Sequence, residues 1–143
     1  MQKTTRTLLA FDERQLDQIA SLREAFAIGE KKDISNKELL LIAMSIGFAS
    51  KNRLQDFKRS NTGVRMEYFK PEDNVLFAAL QVAETGDSKS LLEIEGLYDL
   101  VEQYCAGGIS VLHHAYLNEN NFDQWFQAFI YSSLVEYGND GES

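Results

Sequence analysis

Residues 36–48, NKELLLIAMSIGF, constrain this chain more than any other stretch. Apolar side chains occupy nearly every face of the run, and Ser35 with Glu38 makes the S-x-x-E capping box that starts a helix at about Asn36. A helix apolar nearly all round cannot lie on a surface. It is buried on most sides by its own chain, or it packs in a dimer core.

Other elements must therefore wrap it, and their patterns are readable. Residues 3–11, KTTRTLLAF, are Thr-rich and predict a short extended arm leading into Asp12, a good N-cap. Leu16, Ile19, Leu22 and Phe26 share roughly one face of a helix running from Asp12 to about Ile28, closed by Gly29. Asn61-Thr62-Gly63 is a turn pattern between two short pieces, LQDFKRS and VRMEYF, so a small mid-chain β-hairpin or an irregular loop is expected. Pro71 with Glu72 and Asp73 opens a third helix that ends near Gly86.

Leu97, Leu100, Val101, Tyr104 and Cys105 fall on one face of a fourth helix. Gly107-Gly108 is expected to stop or sharply reorient it before ISVLHHAYL. After an Asn120-Asn121 cap, Phe122, Trp125, Phe126, Phe129, Ile130 and Leu134 form an aromatic stripe, read as core or as a dimer or partner interface. The expected fold is mostly α: a single-domain helical bundle over residues 1–143, with 1–11 an extended arm, a possible short N-terminal strand, a small mid-chain β-hairpin and a frayed tail at 137–143.

Composition agrees with one soluble domain: 143 residues, 44% hydrophobic and 25% charged. No apolar run approaches the ~18–20 residues that span a bilayer. The N-terminus has no apolar stretch of the secretory kind, so no membrane partner and a cytoplasmic location are expected. The single cysteine, Cys105, rules out an intrachain disulfide and a Cys-rich zinc site.

The residue types that carry chemistry are poorly placed for it. His113 and His114 are adjacent, so on a helix they point about 100° apart and cannot readily share a metal. Cys105 lies on an apolar helix face, as a small core residue does. Neither the Glu93/Glu95 nor the Glu72/Asp73 pair sits on one helical face with a histidine. Gly107-Gly108 has no preceding strand, as a phosphate-binding turn would require, and reads instead as a helix C-cap and close packing. No catalytic residue, metal or cofactor is expected.

Charge is the informative feature. Residues 1–65 hold twelve of the fourteen Lys and Arg against eight of the twenty-two acids, a balance of +4; the remainder holds two against fourteen, a balance of −12. Such asymmetry points to a nucleic-acid or acidic-partner surface on one side. The densest basic stretch, KNRLQDFKRSNTGVR, names Lys51, Arg53, Lys58, Arg59 and Arg65 as candidate binding residues. Alternatively, these charges pair with the acidic half and help dock it. A Thr/Arg arm followed by a helix and a capped apolar helix is also the element order of ribbon-helix-helix DNA-binding regulators, in which two chains pair their strands in the major groove. That reading requires a homodimer formed through residues 3–11.

Four segments taken together carry a family resemblance: LLLIAMSIGFAS (39–50), VRMEYF (64–69), LFAALQVAETGD (76–87) and LVEQYCAGGISVLHHAY (100–116). The run is similar to a small bacterial family associated with DNA phosphorothioation (Dnd-system) gene clusters, the phosphorothioation-associated protein 4 family. The matching positions include Ala43, Gly47, Phe48, Arg65, Glu84, Thr85, Gly86, Asp87, Glu102, Tyr104, Gly107 and Gly108, and the match covers roughly residues 35–117. The resemblance implies a context beside DNA-sulfur-modifying or restricting genes and carries over no catalytic residue. The expected function is a non-enzymatic accessory binding protein of a DNA phosphorothioation and anti-phage defence system. Its partner would be DNA or a defence-system protein.

Overall fold

The computed structural model describes residues 5–26 and 34–141, with backbone alone for Leu92 and residues 133–141. The elements are β1 (Leu8–Asp12), α1 (Leu16–Ala25), α2 (Asn36–Ala49), β2 (Arg59–Arg65), α3 (Pro71–Thr85), α4 (Ile94–Asn118) and α5 (Phe122–Gly141). The fold is mostly α, with a short N-terminal strand. Gly29, expected to close α1, lies outside the described residues.

Local chemistry sets the ends of α2 and α3. The Glu38 amide donates to Ser35 Oγ at 3.1 Å, and the Ser35 amide donates back to Glu38 Oε1 at 3.2 Å. Pro71 opens α3 where its missing N–H costs nothing, and Gly86 ends it in the left-handed region, φ 71°.

The apolar α2 is covered mainly by α4. Leu39, Leu40, Ala43, Met44 and Ile46 pack with Val101, Tyr104, Cys105, Ile109 and Leu112, and Leu9 and Phe11 of β1, Leu22 of α1 and Phe77 of α3 complete the core. Contrary to expectation, α4 passes through Gly107-Gly108 without a break. Glycine inside a helix costs about 1 kcal/mol against alanine, and here it permits close approach. A Cβ on Gly108 would lie 1.7 Å from Ala43 O, and one on Gly107 1.8 Å from Asn52 O. From the facing helix, a Cβ on Gly47 would lie 2.0 Å from Tyr104 O. The glycines mark a helix crossing, not a helix end.

The sheet has two antiparallel strands, and they are β1 and β2. Leu8 pairs with Arg65, Leu9 with Val64, Ala10 with Gly63 and, beyond a bulge, Asp12 with Arg59. The mid-chain segment therefore does not fold back on itself, and Asn61-Thr62-Gly63 lies inside β2 rather than in a turn. Its glycine answers to the bulge: a Cβ there would meet Leu9 O at 2.1 Å. Leu9, Ala10 and Phe11 are buried, so β1 needs a sheet partner, and β2 supplies it. Because β1 is paired and covered within its own chain, the strand that a ribbon-helix-helix dimer would share is already used. Residues 8–11 are therefore not presented as the free strand which that alternative needs.

Asp12 ends β1 and caps the 3-10 turn over Glu13–Gln15, accepting from the Arg14 amide at 2.8 Å; α1 follows at Leu16. The aromatic stripe of α5 is a half-buried satellite of the core. Phe122 and Phe126 set their rings edge-on to Phe26 at 5.3 and 5.1 Å, while Ile130 and Tyr131 are exposed. α5 extends to Gly141, into the stretch expected to be frayed.

Lys51 follows α2 with φ 56°. The Asn52 amide donates to Gly47 O at 2.8 Å and the Lys51 amide to Phe48 O at 3.2 Å, the paired bonds of a Schellman cap. Glycine is the usual occupant, because a Cβ in the left-handed region costs about 1 kcal/mol. Lys51→Gly should raise stability by roughly 0.5–1 kcal/mol in urea denaturation. Loss of stability would show that the lysine side chain contributes to the fold.

Candidate partner interface along the basic segment

The segment after α2 is laid along α4. Asn52 O abuts Gly107, the Leu54 amide donates to Gln103 O at 3.1 Å, and Arg59 reaches Glu102. Lys51, Arg53, Lys58 and Arg59 are thereby strung beside one helix. Arg65 stands at the other end of β2, roughly 20 Å on for six residues of strand.

The five cations have different surroundings. Arg53 Nη1 lies 2.8 Å from Glu84 Oε1, whose other oxygen accepts from Tyr104 Oη at 2.5 Å. Burial, then the Glu84 contact, pushes the Tyr104 phenol up to about 12. Arg59 Nε lies 3.1 Å from Glu102 Oε2, and its Nη2 donates to Leu8 O at 2.6 Å. Arg65 pairs with Glu67 at 3.2 Å between exposed groups, a contact worth little in water. Lys51 and Lys58 are exposed, and neither forms an ion pair among the described residues. Lys58 is held by its backbone: its amide donates to Asp12 Oδ2 at 3.0 Å, and its carbonyl accepts from the Glu13 amide at 2.8 Å.

Two buried carboxylates organise this region. Glu102, 1% exposed, accepts from the Ala10 amide at 2.7 Å, from Arg6 Nη1 at 3.2 Å and from Arg59. Arg6 also meets Asp99 at 2.7 Å and Glu95 at 3.0 Å. Burial raises the Glu102 carboxyl above the ordinary range, although the Ala10 amide and both guanidiniums pull the other way. Asp12 shows the opposite balance. Burial works to raise it, but Arg14 and the Lys58 and Arg14 amides outweigh burial and hold it low.

The nearby side chains that could carry chemistry are buried or engaged. Cys105 is buried, and its thiol is pushed up by that burial and then by Glu102. His114 is engaged with Asn118 at 3.3 Å. Among the described residues no group of three His, Cys, Asp or Glu could hold a metal ion, and no helix is long and apolar enough to cross a membrane.

A family model described as DNA sulphur modification system-associated protein 4 matches residues 16–139, from the first residue of α1 nearly to the end of α5. The chain belongs to that family. No curated protein and no solved structure matches it. The match reaches beyond the 35–117 span of the resemblance and takes in α1 and most of α5. The motif residues of this family member serve its own folding. Glu84 holds Arg53 and Tyr104, Thr85 Oγ1 donates to Gln81 O at 2.8 Å, Gly86 ends α3, Glu102 gathers β1 and β2, and the glycines let α2 meet α4.

Sequence reasoning missed Arg6, Asp99 and Asp12 in these networks. One sign was available for Glu102: a carboxylate between Val101 and Tyr104, inside the apolar run of α4. Nothing local identified its partners, which lie on β1 and β2.

Proposed function

We propose that this chain is a non-enzymatic accessory binding protein of a bacterial DNA-phosphorothioation and defence system, and that it meets an acidic partner protein through the lysines of the 51–58 segment. The observation that carries this reading is the division within the basic stretch. Arg53 and Arg59 are turned onto Glu84 and Glu102, whereas Lys51 and Lys58 present their charge to solvent. Lys51 keeps a backbone conformation that glycine would fill at lower cost, which fits a position retained for its side chain.

A DNA reading is favoured by the family's context. Its magnitude is small: at ~0.9 per phosphate, two lysines give a salt slope of about −2. The net charge of −8 works against a polyanion. Lys51→Glu with Lys58→Glu is the clean test, because Arg59 cannot be reversed without breaking the Glu102 cluster. The double variant should keep the parent's stability and lose co-purification with proteins of the native host's sulphur-modification system. The parent should bind short duplex DNA weakly, with the slope above. A slope of −4 or steeper that the variant cuts to about −2 would assign the lysines to phosphate instead.

A further inference from the structure

β2 has one partner, β1, so its other side is a sheet edge among the described residues. The ladder shows which groups that edge presents. The Met66 amide donates to Thr7 O at 2.9 Å, while Ala10, opposite Gly63, turns its amide away from β2 to Glu102. By antiparallel alternation, Gly63 and Arg65 therefore point their N–H and C=O groups away from β1. They point into a groove of about 560 Å³ between β2 and the N-terminus of α2. Gly63 O is met there by Asn36 Nδ2 at 3.5 Å, the outer limit of a hydrogen bond.

The groove also has a sign. Arg23, Lys37 and Arg65 line it, and no carboxylate does among the described residues. Lys37 is held by Asp73 at 2.8 Å and by Tyr68 O at 3.1 Å, whereas the Arg65–Glu67 pair is exposed and readily exchanged for an incoming carboxylate. β2 itself, RSNTGVR, holds two arginines and no acid. Two copies paired edge to edge would set like charges against each other, which disfavours a second copy as the occupant.

We propose that this edge receives an extended acidic segment of a partner protein as a third strand. The segment's backbone bonds to Gly63 and Arg65, and its carboxylates lie against Arg65. Strand addition to an open edge takes affinity from main-chain bonds and selectivity from the side chains alongside. The inference does not depend on the Lys51 and Lys58 reading, which uses other groups.

The probe is a capped heptapeptide alternating glutamate with valine and threonine, beside a control with lysine in place of glutamate. In the protein alone, the Gly63 and Arg65 amides should exchange with solvent faster than Val64. The acidic peptide should slow both and shift their resonances, and the lysine peptide should do neither. Arg65 already has φ −65°, so Arg65→Pro removes the outward amide without distorting the strand. It should weaken the acidic peptide about tenfold or more, and Arg65→Ala, which keeps the amide, about threefold. Lys51→Glu/Lys58→Glu should leave peptide affinity unchanged. Equal binding of the two peptides, unchanged binding by Arg65→Pro, or slow exchange at both amides in the protein alone would each overturn the proposal. The exchange measurement needs no variant, so it decides even if the proline substitution disturbs folding.

Discussion

Gly108→Ala should cost about 3 kcal/mol or more and lower the melting temperature by roughly 10 °C, although alanine is the better helix former. The new Cβ would lie 1.7 Å from Ala43 O and 2.5 Å from Ala43 C. Those are backbone atoms of α2, so no side chain can rotate aside, and the central helices must separate. Separation would loosen every contact between the residues that bury α2. Gly96 in the same helix supplies the control, since a Cβ there meets nothing within 4 Å. Gly96→Ala should therefore gain up to about 1 kcal/mol. Thermal and urea denaturation of the two variants measure both signs. If Gly108→Ala is as stable as the parent, the close crossing of α2 and α4 is wrong.

Glu102→Leu should cost about 3 kcal/mol, at the lower end for removing one partner of a buried ion cluster. The change leaves the Ala10 amide without its acceptor and strips a carboxylate from both Arg6 and Arg59. Arg6 keeps Asp99 and Glu95, and Arg59 keeps Leu8 O, which limits the loss. Glu102→Gln retains an oxygen acceptor and should cost roughly 1 kcal/mol, because burial already disfavours the charged carboxyl. Replacing Arg6, Arg59 and Glu102 together by apolar residues should recover part of the loss, since no buried charge is then left uncompensated, while the Ala10 amide still lacks its acceptor and the exposed Asp99 and Glu95 lose Arg6. Urea denaturation monitored by circular dichroism checks the series. A Leu variant within about 0.5 kcal/mol of the parent would mean that the cluster does not hold β1 on α4.

These two sites also set how far the binding reading extends. Five cations in fifteen residues look like one patch in a linear sequence. In the folded chain Arg53 and Arg59 join the acidic helices to the basic segment, the docking role weighed as the alternative for the whole stretch. Under the two proposals above, the cations left for a partner are Lys51 and Lys58 on one stretch, and Arg65 beside the β2 edge.

The sequence by itself determined what depends on neighbours within about four residues. The capping box at Ser35 and Glu38, Pro71 at the start of α3 and Gly86 at its end were legible, because a cap or a left-handed turn is satisfied by the residue types at the spot. The burial of α2 was legible too, since no exposed position suits a helix apolar nearly all round. Only the tertiary structure decided the rest. Whether Gly107-Gly108 breaks a helix or lets another pass depends on what backbone arrives there, and Ala43 and Asn52 are more than fifty residues away in the chain. Gly63 belongs to a strand and not a turn because the buried β1 claims β2 from across α1 and α2. Arg59 reaches Glu102, with its own side chain still 45% exposed, because β1 and β2 close over that carboxylate. In each case the side chain's local preference is worth about 1 kcal/mol. Long-range burial and the pairing of a buried charge are worth several, so they override it.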